Sequence, residues 1–155
     1  MFSFGLNLYS QINVEKVKLI LVMEDGQIGS QYFDDFVEAD EIEKGESKED
    51  AIIRINRSLG GKLKQGLHSG TKKLRFGDFD DTAYTVTVSF SRSNEDGSNA
   101  SFAFKLVNNE TGETSRIYKS DRGGRFGSRL NLLGDCLIGV GKKAAPEIEK
   151  VILKR

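Results

Sequence analysis

The chain has 155 residues, 17 of them glycine and one proline, and its 23 basic and 23 acidic side chains cancel. One cysteine forbids an internal disulfide and, with a single histidine, leaves no His/Cys set for zinc. Zero net charge argues against a generic polyanion binder, whose domain is strongly basic, and no apolar run approaches the ~20 residues needed to cross a bilayer.

Phe2, Phe4, Leu6 and Leu8 alternate with small or polar residues, the period of a half-buried strand. The same stretch lacks the basic start, long apolar run and small-residue cleavage site of a secretory signal. A native Met1 therefore implies a cytoplasmic or virion-associated protein, and a removed leader implies the cell envelope. From Lys16 to Met23, Val17, Leu19, Leu21 and Met23 share one face and Ile20 and Val22 the other. That pattern predicts a central strand covered on both sides.

Glu24 to Asp50 holds eleven acids against Lys44 and Lys48. It reads as a solvated acidic loop, with Tyr32, Phe33, Phe36 and Val37 packing a short turn onto the body. Ser47 followed by Asp50 fits a helix-starting box, and Ile52, Ile55, Leu59 and Leu63 recur at helical spacing. Gly60-Gly61 predicts an end or bend, because each Gly costs a helix interior about 1 kcal/mol. His68 falls in the Gly-rich stretch beyond and reads as a loop histidine.

The period then becomes two. Leu74 and Phe76 make a short strand, and Tyr84, Val86, Val88 and Phe90 alternate with Ala83, Thr85, Thr87 and Ser89. A turn at Asn94 to Gly97 leads to Phe102, Phe104 and Leu106, and a turn at Asn108 to Gly112 leads to a strand around Ile117 and Tyr118. Gly123-Gly124-Arg125-Phe126-Gly127-Ser128 opens a second helix with the stripe Leu130, Leu133, Leu137 and Val140. Pro146 is expected to divide it from a short terminal element. The order predicts one α+β domain over 1–155: a largely antiparallel sheet (strand-strand-helix-meander-helix) with two helices packed on one face.

Catalytic signatures are weak. His68 has no nucleophile elbow to serve, and Cys136 lies in a helix stripe, where free Cys acts as a small hydrophobe. Asp78, Asp80 and Asp81 cluster where a tight turn between strands is expected, without the spacing of a calcium loop. A metal-dependent activity there is the remote alternative. Gly139-Val140-Gly141-Lys142-Lys143-Ala144 mimics a dinucleotide fingerprint, but at a helix end rather than after a strand. Sequons at Asn56, Asn99 and Asn109 matter only in a glycosylating compartment.

Arg116 to Arg129 carries five basic residues and one acid. Its candidate site is Arg122, Gly123, Gly124, Arg125, Phe126, Ser128 and Arg129, where Arg forks and free N–H groups at a helix start suit an anion or an acidic partner. The structural alternative is a sharp strand-to-helix turn capped by Ser128. A second asymmetry precedes it: Ala51 to Arg75 has seven basic residues and no acid, directly after the acidic segment. Such segregation in a neutral chain suits complementation within the fold or between copies.

The Leu/Ile-rich helix, the Tyr-Thr-Val-Thr-Val strand and the closing Gly-Gly-Arg-Phe-Gly-Ser-Arg-Leu-Asn-Leu-Leu-Gly-Asp stretch together resemble small bacterial envelope proteins. The type is that of the curli secretion channel and the TolB N-terminal domain, over roughly 14–143. That resemblance implies a strand–helix–meander domain that acts in assembly and protein contact rather than catalysis. The chain lacks that group's lipoprotein signal and lipobox Cys, which also suits a phage or mobile-element relative.

The expected function is thus a non-enzymatic assembly domain that self-associates as a homo-oligomer or binds a protein partner, with no cofactor, no metal and no membrane span. The rival is an anion, nucleotide or nucleic-acid binder using the loop 122–129.

Overall fold

The computed structural model describes residues 14–124 and 126–154. The strand expected at Phe2 to Leu8 lies outside them. In chain order the elements are β1 (Glu15–Val22), β2 (Gln27–Ile28), β3 (Gln31–Tyr32), α1 (Phe33–Asp40), α2 (Lys48–Gly70), β4 (Leu74–Gly77), β5 (Tyr84–Ser93), β6 (Asn99–Asn108), β7 (Thr114–Arg122) and α3 (Arg129–Leu153).

The fold is α+β, as expected. β5, β6 and β7 form the antiparallel meander, with Val88 opposite Phe104 and Phe104 opposite Ile117. β1 lies between β4 and β5 and runs parallel to both, and the small β2–β3 hairpin joins the far end of β5. Parallel neighbours need a crossover, and α2 supplies the one between β1 and β4. Strand periodicity reports which face is buried, not strand direction, so this pairing has no signature in the sequence.

One face of the sheet holds the core. Val17, Phe76, Val86, Val88, Phe90, Phe102, Phe104 and Leu106 pack against Ile55, Leu59, Leu63 and Leu67 of α2 and Leu133, Leu137, Val140 and Ile148 of α3. β1 is central, but its second face is not covered by described residues: Ile20 is 39% exposed.

Neither predicted break occurs. α2 runs 23 residues through Gly60-Gly61, because Leu59, Leu63 and Leu67 on either side are buried and tertiary packing outweighs local propensity. His68 therefore sits on the last helical turn, not in a loop. α3 runs 25 residues through Pro146. The proline forfeits one helical bond, at about 3 kcal/mol, yet Ala144, Ala145 and Ile148 around it are fully buried.

α2 and α3 run parallel and touch through small residues four apart. Lys62 lies on Gly134, Gly66 on Ile138, and Gly70 on Lys142 and Ala145. A Cβ at Gly66 would stand 2.1 Å from the Ile138 carbonyl oxygen, so the main chains themselves are in contact there. Both helices start on serine caps: Ser47 Oγ accepts from the Asp50 N–H at 3.1 Å, and Ser128 Oγ from the Asn131 N–H at 3.2 Å.

The acidic segment is a folded cover rather than a solvated loop. Phe33, Phe36 and Val37 are buried, and the Phe33 ring meets Phe90 edge-on, with centroids 6.3 Å apart. The main chain at Gly26 crosses so close to Phe90 that a Cβ would fall 2.1 Å from its ring.

Candidate interaction site

The loop between β7 and α3 is shaped by close approach. The Gly123 N–H donates to the Ser98 carbonyl at 2.6 Å, and a Cβ at Gly123 would lie 2.6 Å from the Leu132 carbonyl oxygen. Across from it, Gly97 takes a positive φ of 79° in the β5–β6 turn and passes against the Arg129 carbonyl. Ser128 and Arg129 then start α3.

The candidate residues from the sequence do not converge on one point. Arg122 is exposed at the end of β7, and Arg125 lies outside the described residues. Phe126 is 92% exposed, so it does not pin the loop to the core. Ser128 Oγ is engaged as the helix cap. Arg129 turns the other way, to α1: its guanidinium donates to Asp40 Oδ2 at 2.8 Å and lies 4.9 Å from the centre of the Phe36 ring.

The segregated charges meet inside the fold. Arg54, from the basic stretch, donates twice to Glu46 at 2.9 Å and once to the Glu41 carbonyl at 2.9 Å. This bidentate grip holds the Glu46 carboxyl below its usual range. Lys48 reaches Glu38 at 3.9 Å. Burial and the neighbouring Asp40 push the Glu41 carboxyl up, against the pull of Arg54 and Arg129.

Beside Glu41 and Arg54 lies a pocket of about 290 Å³, lined by the apolar Ile55, Leu59 and Leu130 and by Ser58, Lys62, Ser128 and Asn131. Of its polar residues, sequence reasoning found only Ser128. The signal for the others was the acidic block followed by the basic one, which gives pairing in general but not the partners. Chemically the pocket offers hydroxyls, two cations and the Glu41 carboxylate, without an imidazole or a thiol. The one imidazole is elsewhere: His68 Nε2 accepts the Phe76 N–H at 2.9 Å, and burial with Lys64, Arg75 and Lys72 nearby holds it below the usual histidine range.

Asp78 and Asp80 flank Lys18 at 3.9 and 4.0 Å, and Asp81 adopts a left-handed turn conformation with φ 55°. Among the described residues no group of three or more His, Cys, Asp or Glu is placed to hold a metal. No described helix is long and apolar enough to cross a membrane.

The second face of the sheet carries Lys18, Ile20, Thr85, Thr87, Ser89, Ala103, Lys105, Arg116 and Tyr118. Tyr118 is 70% exposed, on the outermost strand of the meander.

No family model matches the chain, and no curated protein matches it. Among solved structures it is similar to the PelC dodecamer from Paraburkholderia phytofirmans, with 10% identity over 87% of this chain and 88% of that one and a TM-score of 0.47. It is also similar to protein XCC0632 from Xanthomonas campestris, of the family model DUF330, with 7% identity over 93% and 88% and a TM-score of 0.49. Neither of these structures is described as a curli-channel or TolB protein, and likeness at these TM-scores does not bear on that resemblance.

Proposed function

We propose that this chain is a non-enzymatic interaction domain that assembles with itself or with a protein partner. The observation that carries this reading is the exposure of two aromatic rings at the end of the meander. Tyr118 is 70% and Phe126 92% exposed, and aromatic side chains are the residues most enriched at protein interfaces. Three of the charged groups nearby are committed within the chain: Arg129 to Asp40, Lys143 to Asp121, and Lys119 to Glu147.

The rival reading, an anion or nucleic-acid site on the loop 122–129, is weakened by the same pairs. A guanidinium already held by Asp40 is a poor phosphate ligand, and Ser128 is occupied as a cap. Sedimentation velocity across concentration and salt tests the leading reading. Concentration-dependent association, or a complex with a protein encoded beside it, supports it. A strict monomer that gains thermal stability from oligonucleotide or phosphate at low salt would replace it with the rival. An envelope or phage setting belongs to the same proposal, and the genomic neighbours of the coding sequence distinguish the two.

A further inference from the structure

We propose that a second copy of this chain adds to the outer edge of β7 by antiparallel strand pairing, with Arg116 of one copy opposite Tyr118 of the other. This rests on the self-association reading above and names its surface.

The direction of the main chain along β7 follows from its ladder. The Gly123 N–H bonds inward to Ser98, and residues in an antiparallel pair alternate between bonded and unbonded positions. Ser115, Ile117, Lys119 and Asp121 therefore bond to β6, while Thr114, Arg116, Tyr118, Ser120 and Arg122 turn their N–H and C=O groups outward. The Ser120 carbonyl confirms the phase, since Lys143 Nζ of α3 reaches it from outside at 3.0 Å. Among the described residues no strand pairs with this edge.

A nine-residue edge is a template for another strand unless something blocks it. Lys143 blocks the Ser120 end, leaving Thr114, Arg116 and Tyr118 open. The other outer strands among the described residues, β4 and β3, offer only four and two residues.

A two-fold pairing satisfies both copies at once and closes the assembly at a dimer. Every register centred on a residue keeps outward groups facing outward groups, and three of them hold both Arg116 and Tyr118 within two residues of the axis. Centring the axis on Arg116 sets the two guanidiniums against each other. Centring it on Tyr118 puts Arg116 opposite Ser120, whose carbonyl Lys143 already holds. Centring it on Ile117 puts Arg116 opposite Tyr118 twice, giving about four main-chain hydrogen bonds and setting each cation beside an aromatic ring, so that Ser120, held by Lys143, meets only Thr114 at the outer ends of the pairing. The chain's zero net charge removes long-range repulsion between copies, and Asp121 and Lys119 are neutralised by Lys143 and Glu147 on the helix side.

The test is sedimentation equilibrium of the full chain, beside Tyr118→Pro and Tyr118→Phe. Proline is tolerated on an edge strand where its missing N–H faces outward. Tyr118→Pro should thus keep the wild-type Tm while weakening association by about tenfold or more, and Tyr118→Phe should still associate. A second measurement mixes Arg116→Cys with Tyr118→Cys copies: the mixed disulfide should form in excess over either like pair. Wild-type association that Tyr118→Pro leaves unchanged would overturn the edge and keep the self-association reading. A wild type that stays monomeric at every concentration would overturn both. A large loss of Tm in Tyr118→Pro would assign the edge to a segment of the same chain and overturn the proposal, as would a preference for like-pair disulfides.

Discussion

Arg129, the first residue of α3, is tied to Asp40, the last residue of α1, at 2.8 Å and across 89 residues of sequence. The contact joins the basic loop to the acidic cover that the sequence places far away. It also places the guanidinium against Phe36, itself buried on the core.

Both partners are about two-fifths exposed, with side chains at 39% and 43%, so water and salt screen the pair. A double-mutant cycle of Arg129→Ala and Asp40→Ala should give a coupling of about 0.5 kcal/mol that shrinks in high salt. Arg129→Ala alone should cost more, about 1 kcal/mol, because it also removes the cation from the Phe36 ring. Urea denaturation of the four proteins measures both. Equal costs for the two single variants would show that the ring contact contributes nothing.

The helix pair makes a sharper prediction. At Gly66 an added methyl meets the Ile138 main chain, which cannot rotate away. Gly66→Ala should therefore destabilise by about 3 kcal/mol, the upper range for overpacking. At Gly61 nothing stands within 4 Å, and Gly61→Ala should stabilise by about 0.5–1 kcal/mol through helix propensity. Chemical denaturation decides it, and the opposite order would mean that the helices are not in main-chain contact.

Much of the fold was legible because burial leaves a periodic trace. Val86 and Val88, Phe102 and Phe104, and Leu133 and Leu137 were read as core from spacing alone, and all are 2% exposed or less. Helix starts were legible too, since a serine three residues before an open N–H is a local device. The parallel pairing of β1 left no local trace. Gly60-Gly61 and Pro146 misled because local cost was weighed without the packing that outweighs it. At the loop, residue type points to an anion or to the acidic segment 24–50, and the partner of Arg129 is Asp40 of that segment; only the three-dimensional path of the segment decides which acid and which arginine meet.

His68 gives a prediction in pH. Its pKa in the fold is held below the ordinary value, chiefly by burial and then by Lys64, Arg75 and Lys72. The unfolded chain therefore binds a proton at about pH 6.5, where the folded chain does not. Stability from this group is complete above that pH and falls as pH drops, until His68 is protonated in the fold as well. Protonation also removes the Nε2 lone pair that accepts the Phe76 N–H. Thermal midpoints from pH 8 down to 5 should fall more steeply for wild type than for His68→Gln. Parallel curves would show that the imidazole does not titrate against folding. Glu41, with its raised value, is common to both proteins and acts with the opposite sign, so the difference between the curves isolates His68.

Cys136 supplies a reporter for the whole structure. Its side chain is fully buried in α3, and its thiol has the Asp121 carbonyl at 3.4 Å and the Gly97 carbonyl at 3.6 Å as acceptors. Burial, opposed by hydrogen bonding but aided by Asp121 and Asp135, pushes the thiol pKa up to about 11. At pH 8 the thiolate is then only about a thousandth of the population, whereas an ordinary cysteine is roughly a quarter ionised. An aromatic disulfide reagent should leave the native protein unlabelled for as long as it stays closed and label it at once in denaturant. Because Cys136 packs where α3 meets β6 and β7, labelling in native buffer should report opening of the core rather than fraying of an end. Where reclosing is faster than labelling, the rate follows the open fraction. Gly66→Ala should then label faster by about tenfold for each 1.4 kcal/mol that it loses. A rapid reaction in the stable wild-type protein would place the thiol at the surface and the packing of α3 on the meander would be wrong.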